Sequence, residues 1–185
     1  TTLSAPLNDA WMRDIGPSFV IGDDGRLGAV DFVFNGWGGQ EWAEWDKDQH
    51  IGRFIAEAAG AELISSDLVN EGGGIQVDGT GQVVLTETVQ LDPGRNPHLS
   101  KQQVEAELER TIGAREALWL PRGLTRDHDL YGTRGHSDIL AVFTSPDVLL
   151  MHRQDSASHP DHLIAQVNRQ TAEHYVSDNS AGFEI

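Results

Sequence analysis

Three times along this chain of 185 residues, an apolar run, a tight turn and a second apolar run follow one another, and a helix-spaced segment comes next. Residues 18–21 and 27–34 flank the turn Gly22-Asp23-Asp24-Gly25, and residues 75–77 and 83–86 flank Asp78-Gly79-Thr80-Gly81. Residues 139–143 and 148–151 flank Ser145-Pro146-Asp147. Short apolar runs around turn residues read as β-hairpins. Helical spacing then appears at Ile51, Phe54, Ile55 and Ala58, at Val104, Leu108 and Ile112, and at Leu163, Ile164 and Val167. Gly60 and Gly113 stand where C-cap glycines belong, and Ser100-Lys101-Gln102-Gln103 reads as a capping box. Strands at 62–65 and 116–120 close the first two rounds. The turns recur 56 and then about 66 residues apart. A repeat of that length favours a modular α/β assembly of units packed side by side over an α+β domain with accidental similarity.

Composition narrows the function. Hydrophobic residues at 38% suffice for a core, and 29 acidic against 13 basic residues give a formal charge of -16. A surface this acidic does not suit nucleic acid, which is gripped through Lys and Arg, and it gathers cations instead. No apolar run reaches the roughly 18–20 residues of a membrane span. The segment Thr1-Thr2-Leu3-Ser4-Ala5-Pro6 carries no signal-peptide pattern. With no cysteine in the chain, disulfides, thiolate metal sites and a Cys nucleophile within it are excluded. These features fit the cytoplasm. No motif demands a metal or an organic cofactor, and the oligomeric state is not legible.

Polar groups concentrate in four places. Two acids and an Arg flank a Trp in Asp9-Ala10-Trp11-Met12-Arg13-Asp14, just before a Gly-Pro turn. A ring beside a carboxylate suits a flat organic cation, while the plainer reading is a surface ion pair with Trp11 in the core. In Glu71-Gly72-Gly73-Gly74 the glycines let backbone pass close to another group, with an acid aimed alongside; the plainer reading is a glycine turn. His136 and Asp138 would share one side of an extended strand and could shuttle protons. Ser137 would then face away, so these three do not form a catalytic triad; a solvated His is the plainer reading. His152, His159 and His162 with Asp155 and Asp161 have weak metal-ligand spacing, and His159-Pro160-Asp161 reads more simply as a helix start. The stretches 34–39 and 95–97 read as structural loops.

Together these segments resemble the agmatine deiminase branch of the guanidine-modifying pentein superfamily, which includes bacterial peptidyl-arginine deiminases. The matching stretches are 9–17, 34–39, Trp45-Asp46-Lys47-Asp48, Glu71-Gly72-Gly73-Gly74-Ile75, 95–101, Trp119-Leu120-Pro121 and Gly135-His136-Ser137-Asp138, in family order. The resemblance implies an α/β fold, a five-bladed β/α propeller of ββαβ units, of which residues 17–66, 75–120 and 138–185 would be three blades of a single partial catalytic domain. It implies hydrolysis of an agmatine or arginine guanidinium to a ureido group and ammonia, through a Cys-thiouronium intermediate, in the service of putrescine and polyamine synthesis. By the same resemblance Asp14 and Asp138 clamp the guanidinium and His136 is the general acid and base. Glu71 is a further acid lining the site, and Trp11 walls the substrate.

The chain also departs from the family. The family's Cys is absent, Arg134 stands where an Asp is usual, Ile139 where an Asn is usual, and Gln76 where a His is frequent. Arg134 is expected to point away from the site or to pair with Asp129. The chain is then a portion of an enzyme, a degenerate relative that binds cations without turnover, or a scaffold module. A portion should expose partly apolar faces at two ends.

Overall fold

The computed structural model describes residues 2–179 and 182–185; Thr1 of the N-terminal reading, and residues 180 and 181 of the third expected unit, lie outside them. The elements follow the recurrence. A helical turn α1 (Met12–Ile15) precedes the hairpin β1 (Ser18–Ile21) and β2 (Leu27–Val33). A tight turn α2 (Gly36–Gly39) leads to α3 (Ile51–Ala59) and β3 (Glu62–Val69). The second round is β4 (Gln76–Val77), β5 (Gln82–Thr86), the turn α4 (Glu87–Gln90), α5 (Lys101–Ile112) and β6 (Glu116–Leu120). The third is β7 (Ala141–Ser145), β8 (Val148–Met151) and α6 (His162–Asn179).

Each of the first two rounds makes its own sheet. The hairpin is antiparallel, and the strand after the helix runs parallel to the hairpin's second strand, as β1-β2-β3 and β4-β5-β6. β7 and β8 pair in the same way, and Glu184 bridges Val148 in parallel, the position β3 and β6 hold in their units. Alternation along β5 decides how the sheets stack. Val83 and Leu85 pack with Val104 and Leu108 of α5 and with Leu68 of β3, whereas Val84 joins Leu149 and Ala172 of the third round. Both faces of the middle sheet are therefore covered.

Helix α5 starts on the expected capping box: Ser100 Oγ accepts from Gln103 N, and the Gln103 side chain reaches back to Ser100 N. Replacing Ser100 with Ala should lower stability by about 1 kcal/mol in urea unfolding. A loss below a few tenths would show the cap to be dispensable.

Two sequence expectations are corrected. Leu163 and Val167 do not face inward; Leu163 is 69% exposed, and α6 instead buries Ala165, Asn168 and Ala172. Small side chains let the helix approach β6 closely, and Asn168 Nδ2 donates to Arg122 O at 2.9 Å. The third hairpin begins at Ala141, because Ser137–Ile139 forms a 3-10 turn. Exposed apolar side chains stand on the first unit at Phe19 and Ile21 and on the third at Val142, Leu150 and Leu163. No helix among the described residues is long and apolar enough to cross a membrane.

Candidate active site

The polar groups singled out in the sequence occupy one topological place used three times. Asp14 lies just before β1, Glu71 just before β4, and His136 with Asp138 just before β7. Repeated units packed side by side bring these entry segments to one end of the sheets.

Asp14 lies in the short turn α1. Its Oδ1 accepts from Gly73 N at 3.0 Å and its Oδ2 from Trp37 Nε1 at 2.9 Å. Trp37 is buried in left-handed backbone (φ 57°) and stacks on Trp42 with ring centroids 5.3 Å apart. Gly73 is required by close approach: a Cβ there would lie 2.3 Å from His136 Nδ1 and 2.9 Å from Asp14 Oδ1.

His136 is set by the loop before it. The Asp127 carboxylate accepts from Thr133 N, Thr133 Oγ1, Gly135 N and His136 N at 2.6–3.1 Å. Thr86 Oγ1 donates to Gly135 O at 2.6 Å, and a Cβ on Gly123 would fall 2.0 Å from Gly135 Cα, so two backbones touch there. The ring is buried. Its Nε2 lies 3.2 Å from Glu71 Oε2, which turns Nδ1 toward Asp14 Oδ1 at 3.8 Å.

Glu71 is fully buried, with both oxygens engaged. Arg95 Nε donates to Oε1 at 3.0 Å and to Oε2 at 3.1 Å. Burial would push the Glu71 carboxyl up, but Arg95 and then His136 outweigh it and hold the group below its ordinary value. Burial would likewise push the His136 imidazole down; the Glu71 and Asp14 carboxylates outweigh that and hold it above its ordinary value. Each partner thus favours the other's charged form.

Asp138 is the more exposed of these acids, its side chain 30% exposed, with Arg13 Nε at 3.9 Å. Partial burial raises its carboxyl, aided by the Asp14 charge and opposed by His136 and Arg13. His136 and Asp138 were expected on one side of a strand; the 3-10 turn places them instead, and Ser137 Oγ donates to Gly73 O at 3.3 Å. Trp11 is not in the core. It is 58% exposed, with Nε1 donating to Asp9. Arg134 lies 3.9 Å from Asp92 rather than against Asp129. Around the third unit, His159 Nδ1 accepts from Asp161 N, Asp161 Oδ1 accepts from Thr125 N, and His162 Nδ1 faces Gln154 O. Among the described residues no group of three His, Asp or Glu is placed to hold a metal ion.

The model of the Porphyromonas-type peptidyl-arginine deiminase family matches residues 1–185. The chain belongs to that family. Among curated relatives of this deiminase-family chain, a Streptomyces coelicolor protein provisionally named agmatine deiminase is 54% identical over 161 residues, covering 87% of this chain and 48% of the relative. An agmatine deiminase of Medicago truncatula is 36% identical over 189 residues, covering 96% and 50%. Among solved structures, agmatine deiminase of Enterococcus faecalis superposes with a TM-score of 0.83 at 37% identity, over 90% of this chain and 46% of that one. The chain spans about half the length of the curated relatives it matches.

Three site residues of this family member escaped the sequence reading. Trp37 and Arg95 lie in stretches read as structural loops, yet one holds Asp14 and the other Glu71. Asp127 drew no notice, although it organises the His136 loop. A Trp among three glycines (Gly36, Gly38 and Gly39) and an Arg within Asp92-Pro93-Gly94-Arg95-Asn96 were signals of a kind, but their partners are 23 and 24 residues away and invisible to local pattern.

Proposed function

We propose that this chain supplies the guanidinium-binding and proton-handling groups of a guanidine deiminase acting on agmatine or a (peptidyl-)arginine. The observation that carries the reading is a buried imidazole between two acids, Nε2 3.2 Å from Glu71 and Nδ1 3.8 Å from Asp14, with Asp138 on the same turn, in a chain whose relatives are named for deimination. Asp14 and Asp138 grip the guanidinium nitrogens. Each Asp14 oxygen already accepts one hydrogen bond and keeps a further lone pair for the ligand. Arg13 holds Asp138 only at 3.9 Å from an exposed position, so a substrate cation can displace it. Trp11 walls the mouth.

The nucleophile is a Cys outside this chain. Its thiolate bonds to the guanidinium carbon, and the C–N bond then breaks with His136 Nδ1 giving its proton to the departing ammonia. The product of that step is a thiouronium. His136 next takes a proton from water, whose oxygen bonds to the carbon as the C–S bond breaks. Guanidinium and water thus become a ureido group and ammonium. Glu71, with no free oxygen facing solvent, backs His136 rather than touching substrate. In this reading residues 17–66, 75–120 and 138–185 are successive blades of a five-bladed ring, and the exposed apolar side chains at the first and third units face the remaining blades.

Calorimetry with agmatine and with an arginine amide tests the clamp. Asp138→Ala should weaken binding about tenfold, a modest factor because the acid is partly screened by solvent. Unchanged affinity would remove Asp138 from the clamp. Ammonia release should require the Cys-bearing remainder; binding without release in a Cys-bearing whole protein would favour a degenerate relative that binds cations without turnover.

A further inference from the structure

The groups that face the His136 ring come from four segments. Glu71 lies behind Nε2 and Asp14 before Nδ1, Asp138 follows on the same turn, and Arg95 stands behind Glu71 on the loop between α4 and α5. Asp127 holds the ring's backbone, and Arg13 lies beyond Asp138. Of these, Arg95 has no route to the substrate: its side chain is fully buried. Its contacts are nevertheless distributed in a telling way. Nε donates to both Glu71 oxygens, while Nη2 donates at 2.8 Å to the carbonyl of Thr133, three residues before His136. Nη1 is turned to Asp92 at 3.5 Å and has no hydrogen-bond partner among the described residues. Next to it, Asn96 closes the end of β3 by exchanging hydrogen bonds with Val69 N and O, which fixes the loop from which Arg95 projects.

We propose that Arg95 is a positioning residue, whose one planar guanidinium holds both members of the Glu71–His136 pair, the acid through its side chain and the imidazole through its loop. A planar fork can satisfy two such acceptors at once, whereas an ammonium offers a point charge without the fixed geometry. With the acid locked, Nε2 of His136 keeps its proton on the Glu71 side, and Nδ1 is the nitrogen left to give and take a proton toward Asp14. Without Arg95, Glu71 would be a buried carboxylate with only the ring beside it. It would take up a proton, and the ring would lose its anionic partner. This inference rests on the proposed acid–base role of His136, yet its geometry can be tested without turnover.

The test is imidazole NMR of the 185-residue chain, with the His136 signals assigned by their loss in His136→Asn. In Arg95→Met the His136 titration midpoint should fall, and its single tautomer signature should become a mixture. In Arg95→Lys, which keeps the charge but not the fork, the midpoint should be partly restored and the tautomers still mixed. A folded variant of either kind with the wild-type midpoint and tautomer would overturn the proposal. The wild-type chain gives a measurement that needs no variant: the Arg95 Nε–H should exchange with solvent far more slowly than that of the exposed Arg26, Arg153 or Arg169. Exchange as fast as theirs would also overturn it. Agmatine calorimetry on the same samples separates the two readings, because loss of guanidinium binding in wild type would sink the deiminase reading and leave the Arg95 result standing.

Discussion

Replacing Glu71 with Ala should destabilise the fold by about 3–5 kcal/mol, the usual cost of leaving a buried charge without its partner. The Arg95 guanidinium would stay buried with only Asp92, 3.5 Å away, and the Thr133 carbonyl for company. For a chain of this size that loss lowers the melting temperature by roughly 6–20 °C. Glu71→Gln keeps an acceptor for Arg95 and should cost less, about 1.5–3 kcal/mol, because one charge-assisted bond becomes an ordinary one. The double variant Glu71→Leu with Arg95→Met should recover much of the loss, since no buried charge is left to compensate. A single-variant loss under about 1 kcal/mol in urea unfolding, or a double variant whose losses simply add, would refute the coupling. The wild type should show a pH signature as well. Glu71 is depressed from 4.5, so its contribution is complete above that value and lost as pH falls through the lowered pKa. His136 is raised from 6.5, so its contribution is complete below that value and lost as pH rises through the raised pKa. The pair therefore stabilises most between 4.5 and 6.5, and Glu71→Ala should flatten the pH dependence on both flanks.

The strand and helix order was legible because it is local. Turn residues at 22–25, 78–81 and 145–147 fix hairpins over a few residues, and the Ser100 box fixes the start of α5 within one turn. What resisted reading was which face a weakly amphipathic helix buries. Leu163 and Val167 are exposed large apolar residues of α6, yet it is Ala165 and Ala172 that are buried, Ala172 in one cluster with Leu118 and Leu120 of β6. The site was legible in part for the same reason. Asp14, Glu71, His136 and Asp138 stood out as polar groups among glycines just before strands. Their supports did not, because Trp37, Arg95 and Asp127 act across loop contacts that no local periodicity marks. Arg134 illustrates the limit: its position suggested that it points away from the site or pairs with Asp129, and, on left-handed backbone at φ 70°, its Nη1 lies 3.9 Å from Asp92 Oδ2.

Gly73→Ala should abolish the arrangement at the centre of the site with a single methyl group. The new carbon would sit 2.3 Å from His136 Nδ1, 2.8 Å from Cε1 and 2.9 Å from Asp14 Oδ1. Such contacts are relieved cheaply only when the neighbours are free to swing, and these are not. Asp14 is tied at its other oxygen by Trp37, and the ring is tied from behind by Glu71. Either the imidazole or the carboxylate must leave its place, or the 72–74 turn must back away. The last course is closed by Gly72, where backbone already runs against Arg13 O, and by the hydrogen bond from Ser137 to Gly73 O. Overpacking of this kind costs about 1–3 kcal/mol of stability. The larger effect falls on the ligand: with acid and ring both displaced, agmatine affinity should drop about a hundredfold, close to 2.7 kcal/mol. The His136 imidazole signals should move in the same variant, because Nδ1 is the atom struck. A Gly73→Ala chain that binds agmatine as wild type and keeps the wild-type His136 spectrum would mean that Asp14 and His136 do not share one pocket wall, and the guanidinium site would have to be sought elsewhere in the fold.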